Sequence, residues 1–70
     1  MAEHRETKLE MARRHVHEGE EHIARQREII AGLQDDGEVK RLAQQLLLGF
    51  ETIMREHRAS LARLEKSAVA

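Results

Sequence analysis

Apolar or small residues return every three or four positions along the first half of the chain. The series is Leu9, Ala12, Val16, Gly19, Ile23, Gln26, Ile30 and Leu33. A 3-4 alternation traces one face of an α-helix. It breaks at Asp35-Asp36-Gly37, and a second series follows: Val39, Ala43, Leu46, Phe50, Ile53, His57, Ser60 and Leu64. The pattern predicts an all-α antiparallel hairpin, with helices over about 5–35 and 38–66, as one domain over residues 1–70. Thr7 or Glu6 is expected to open the first helix, neither as a strong cap. Residues 1–4 and the tail Ser67-Ala68-Val69-Ala70 are expected to fray. Gly37 is expected to end the first helix in a left-handed conformation. Asp36 and Glu38 put negative charge where the dipole of the second helix favours it.

A connection this short makes the helices antiparallel neighbours. Facing residues should then have numbers that sum to about 72 or 73. Leu33 should meet Val39, Ile30 should meet Leu42 and Ala43, and Gln26 should meet Leu46 and Leu47. Leu9 should meet Leu64. Gly19 falls opposite Ile53 with Phe50 one turn away, so it reads as a notch for one of them. A glycine inside a helix costs about 1 kcal/mol against alanine, which the packing should compensate.

The second helix carries more apolar surface than one neighbour covers. Leu42, Leu47, Met54 and Leu61 flank its stripe, and Ile29 stands beside Ile30 in the first helix. Such broad faces belong to bundles rather than to two-stranded coiled-coil seams. A chain of 70 residues is also short for a self-sufficient core. The expected closure is a homodimeric four-helix bundle, with Leu42, Leu47, Phe50, Met54, Leu61 and Gln26 at the interface. Gln26 either reaches to the edge or is a buried amide that pairs with its symmetry mate or with a backbone carbonyl.

Composition agrees with this picture and narrows the function. Hydrophobic residues make up 40% and charged residues 36%, and there is no proline. The formal charge is −1, from 12 basic and 13 acidic side chains. These are interspersed, so no single-sign field points to nucleic acid or an anionic membrane. The absence of cysteine excludes disulfides and thiolate metal sites, which fits a reducing compartment. The opening Met-Ala-Glu-His-Arg-Glu has no apolar signal segment. The longest apolar run, Leu46-Leu47-Leu48-Gly49-Phe50, is far too short to span a bilayer. The expected location is the cytoplasm.

Five histidines, His4, His15, His17, His22 and His57, raise the question of metal. His15 and His17 point about 200° apart on a helix and cannot share an ion. His17-Glu18 is followed by His22 at i+5, one residue beyond the zinc-protease spacing. No histidine follows a glutamate at i+3, as di-iron bundles require. His15, Glu18 and His22 do share a face, and His57 should come near His15. These four are the candidate metal ligands, set against surface pairing of Glu18 with His22 and a hydrogen-bonded seam role for His57. The expectation is no metal and no cofactor. The histidines could instead act through charge, since protonating all five moves the formal charge from −1 to +4. A partly buried neutral His57 would weaken the hairpin in acid.

An enzyme needs a pocket with a nucleophile, an acid–base pair or a metal. Here there is no Cys, Tyr or Trp, and the hydroxyls are Thr7, Thr52, Ser60 and Ser67. No enzymatic activity is expected. A homodimer of hairpins resembles in architecture the Rop family of plasmid copy-control proteins, RNA-binding bundles. Lys8, Arg25, Arg27, Arg55, Arg58 and Arg63 could line such a surface. Glu20, Glu21, Glu28, Glu51 and Glu56 dilute it, and Phe50 is needed in the core rather than for base stacking.

Glu18-Gly19-Glu20-Glu21-His22-Ile23-Ala24-Arg25-Gln26, with Ile30, Leu33, Gly37, Leu46-Leu47-x-x-Phe50, His57 and Leu64, forms a further pattern. It resembles a group of short proteobacterial α-helical proteins with an E-G-x-x-H-I-x-x-Q core. The resemblance spans nearly the whole chain and implies a helical hairpin, with no activity attached. Val39 stands where such chains tend to carry an aspartate cap for helix 2. The expected role is a non-enzymatic structural or protein-interaction module that pairs with itself and could dock a protein partner. An RNA-binding bundle and a histidine metal site are the alternatives.

Overall fold

The computed structural model describes residues 5–34 and 37–69. They form two helices, α1 over Lys8–Gly32 and α2 over Glu38–Val69, packed side by side as a hairpin. The first helix starts later and ends earlier than its sequence pattern suggests, and the second runs further. Residues 1–4 and the turn residues Asp35 and Asp36 lie outside the described residues, as does Ala70.

The start of α1 is set by a reciprocal cap. The Thr7 hydroxyl oxygen accepts from the Glu10 N–H at 3.0 Å, and the Glu10 carboxylate accepts from the Thr7 N–H at 2.9 Å. This satisfies two of the amides that a helix start leaves unpaired. Thr7 is therefore a strong cap, contrary to the expectation above. The far end closes at Gly32, where Leu33 turns extended and its N–H donates to the Ile30 carbonyl at 3.1 Å. Gly37 stands immediately before α2 and does not end the first helix in a left-handed turn, since its φ is not positive. Its carbonyl accepts from Arg41 N–H at 3.2 Å, the bond that opens α2. Helical geometry persists through Ser67, Ala68 and Val69, so the expected frayed tail is ordered helix up to Val69.

The register follows the antiparallel arithmetic where Gly19 lies against Met54, His15 against His57 and His22 against Phe50. Gln26 instead bonds to Ala43, about one turn nearer the connection than the Leu46 and Leu47 expected opposite it. The rotation of α2 about its own axis differs from expectation. Gly19 is a notch, and Met54, not Ile53 or Phe50, fills it. Met54 is 1% exposed, the most deeply buried side chain in the hairpin. With Met54 pointing inward, Ala43, Leu47, Leu61 and Leu64 also turn toward α1 and are partly covered. Leu42, Leu46 and Ile53 turn outward and are 58%, 52% and 50% exposed.

The residues expected at the interface differ in exposure within one hairpin. Met54 and Gln26 are buried inside one hairpin and are not free to meet a second chain. Leu47, Phe50 and Leu61 are half-buried between the helices. Of the set, Leu42 alone is fully on the open surface. The physical reason lies in reach. Methionine is unbranched and flexible and can thread into a glycine notch, whereas Ile53 is stiff at its β-carbon.

The hairpin is a single layer, with extents of 52 × 30 × 13 Å. Its radius of gyration is 16.3 Å, against about 11 Å for a compact domain of this length. Only Ala12, Ile23 and Met54 form a buried apolar core among the described residues. No helix is long and apolar enough to cross a membrane.

A β-carbon added at Gly19 would sit 2.6 Å from the Met54 sulfur, so packing outweighs the helix propensity lost there. Met54→Ala should cost about 2–3 kcal/mol of stability. Gly19→Ala should destabilise the parent chain, yet stabilise the Met54→Ala variant by up to about 1 kcal/mol. Urea unfolding of the two single variants and the double variant, at one fixed protein concentration, measures this coupling. Additive effects would show that the two residues do not share the space.

Candidate functional site

The two broad faces of the hairpin differ in chemistry. Across one of them the helices are joined by ion pairs: Arg27 with Glu51 at 3.3 Å, Arg58 with Glu20 at 3.8 Å, and Arg13 with Glu65 at 3.8 Å. These side chains are half or more exposed for the most part, so each pair contributes little stability. Arg13, Arg27 and Arg58 each pair with a carboxylate across this face, while Arg55, which also lines it, donates to the Thr52 hydroxyl.

The other face is apolar and carries the histidines. A shallow groove runs along it between the helices. His15, Glu18, Gly19 and His22 line it from α1, and Phe50, Ile53, Met54 and His57 from α2. Toward the chain ends it continues past Lys8, Met11, Ala12, Ser60 and Leu64. Toward the turn it passes Arg25 and Gln26. Leu46 and Leu42 extend the same face one and two turns beyond Phe50, by helical spacing. Ile29 does so one turn beyond Arg25, and it is 49% exposed.

All four candidate ligands, His15, Glu18, His22 and His57, therefore reach one groove. His57 lies beside His15, with ring centroids 5.1 Å apart and the planes tilted by 45°. The His22 ring sits 6.2 Å from that of Phe50. The expected Glu18–His22 pair is replaced by another. Glu18 bonds to Arg14 at 3.0 Å, and Arg14 also holds both carboxylate oxygens of Glu6 at 2.9 Å. That hydrogen bond from Arg14 holds the Glu6 carboxyl below its usual range, and the two carboxylates raise the Arg14 guanidinium in turn. His17, off this face, pairs with Glu21 at 2.7 Å.

Among the described residues, no group of three His, Asp or Glu side chains converges as metal ligands. His15 and His57 offer two imidazoles, fewer than the three or four ligands zinc takes. The groove is open and shallow, and its imidazoles stand among Glu18, Lys8, Arg25 and Ser60. What this arrangement can do is present apolar surface interrupted by titratable rings.

Gln26 anchors the groove floor near the turn. It is buried at 7% exposure, and its side-chain N–H donates to the Ala43 carbonyl at 2.7 Å. Of the readings open from sequence, the bond to a backbone carbonyl is the one observed. The bond crosses between helices, so it ties their axial alignment as well as their separation.

No protein-family model matches this chain, and no curated protein or solved structure does.

The Gln26 bond has a measurable signature. Gln26→Leu should change stability by no more than about 1 kcal/mol, because a lost neutral hydrogen bond is offset by added apolar burial. Gln26→Glu at pH 7.5 should cost more, about 2–3 kcal/mol, since a buried carboxylate would face a carbonyl oxygen. Thermal unfolding of both variants at matched concentration tests the ordering. Equal losses would mean that the amide is not a donor in the core.

Proposed function

We propose that this chain is a non-enzymatic assembly module whose apolar groove face is covered by a second copy, giving a homodimeric four-helix bundle. The observation that carries the reading is the exposed column Leu42, Leu46 and Ile53, with Met11 and Ile29 across the groove. Scattered exposed leucines are ordinary on protein surfaces, but a contiguous apolar strip along a whole face is not.

Area supports a second copy as the cover. The chain exposes 5971 Å², against about 4,500 Å² for a folded monomer of its mass. The excess, about 1,500 Å², is more than the roughly 800 Å² per partner that a standard interface buries. Two such faces are also complementary in chemistry. Each carries exposed apolar side chains along its length, and stacking them leaves the ion-paired faces in water on both outer sides. The closed two-fold arrangement is the commonest way in which identical chains associate.

Sedimentation velocity at micromolar concentration and pH 7.5 should give a dimer. Ile53→Glu should raise the dissociation constant at least about 100-fold, because an unpaired buried charge costs several kcal/mol and the two-fold repeats it. Arg27→Ala, on the ion-paired face, should leave the constant within a few-fold of the parent. A monomer for the parent chain at these concentrations would refute the reading, and equal effects of the two substitutions would place the interface elsewhere.

A further inference from the structure

The groove face departs from a plain hydrophobic interface in one respect: it carries His15, His22 and His57. Imidazole is the side chain whose charge ordinarily changes between pH 5 and 8. We infer that pairing through this face is switched by protons, so that the copies associate while these three histidines are neutral and separate when acid charges them. The inference rests on the dimer reading above and adds its regulation.

The surroundings decide the sign. From α1, the charged groups near the histidines are Lys8, Arg14, Glu18 and Arg25, with Glu6 acting on His15 through its field. From α2, His57 is the titratable side chain that lines the groove. Both carboxylates in this set, Glu6 and Glu18, are already bonded to Arg14. Glu18 meets Arg14 through one oxygen only, so a single carboxylate oxygen stays open to the groove against three imidazoles. Lys8 and Arg25 add positive charge to the same face. His15 and His57, 5.1 Å apart, would repel each other when both are charged.

A second copy stacked on this face brings the same side chains, so each added Glu18 comes with three further imidazoles, Lys8 and Arg25. Burial disfavours the charged form of an imidazole. The separated chains can thus take up protons that the dimer excludes. Where the dissociated state binds more protons, lowering the pH favours dissociation. Excluding one proton per protomer, two per dimer, raises the dissociation constant as the pH falls, by about 100-fold between pH 7.5 and 5.5. A larger effect follows if more than one histidine per chain is excluded.

The test is sedimentation equilibrium of the full chain at pH 7.5 and pH 5.5, with helix content followed by circular dichroism in the same samples. The variants are His15→Gln/His22→Gln/His57→Gln and, as a control, His17→Gln. The parent and the His17 variant should dimerise at pH 7.5 and lose at least about 100-fold in affinity at pH 5.5. The triple variant should keep its dimer within about threefold across that range. A parent dimer equally tight at both pH values overturns the switch and leaves the dimer reading standing. An acid response that persists in the triple variant also overturns it. A parent chain that is monomeric at pH 7.5 removes the dimer reading, and the switch with it.

Discussion

The thioether of Met54 lying in the notch at Gly19 is the contact on which the rest of the hairpin depends. It fixes the rotation of α2 about its own axis. Residues that share the Met54 side of α2, namely Ala43, Leu47 and Leu61, then turn toward α1. Those about 100° away, including Ile53, Leu46 and Leu42, turn outward. The same contact sets the axial register that brings Gln26 to the Ala43 carbonyl and His15 to His57. A glycine in mid-helix is unfavourable taken alone. Here it lets two backbones approach without displacing the largest flexible side chain between them.

Much of this was legible in the residues. The break at Asp35-Asp36-Gly37 gave the hairpin, and the antiparallel arithmetic gave Gly19, His15 and His22 their neighbours to within one residue. The rotation of α2 was not legible, because that helix carries two adjacent stripes of equal quality. One runs through Leu46, Phe50 and Ile53, the other through Leu47, Met54 and Leu61. Periodicity cannot choose between them, since both return to one helix face, the first at 3-4 spacing and the second every seven residues. The choice falls to side-chain shape at one layer, where an unbranched methionine enters a space that a β-branched isoleucine cannot. The Thr7-x-x-Glu10 cap was present in the sequence as a capping box. The partner of Glu18 was harder to foresee, because Arg14 and His22 flank it at equal distances along the helix. A guanidinium that can hold Glu6 as well wins over an imidazole.

The two faces of the hairpin divide the labour of a small chain. Ion pairs between exposed side chains hold the helices together weakly, yet they keep one surface hydrated and unsuited to burial. The other surface gathers the apolar residues that the first cannot use. His15, His22 and His57 lie on that second surface, whereas His17 pairs with Glu21 among exposed side chains.

A layer 13 Å thick has two outsides and almost no inside. Under the pairing proposed above, the second copy supplies half of the solvent exclusion that a larger domain would provide for itself. Stability would then follow mass action as well as sequence. Dilution would act as a denaturant and accumulation as a stabiliser.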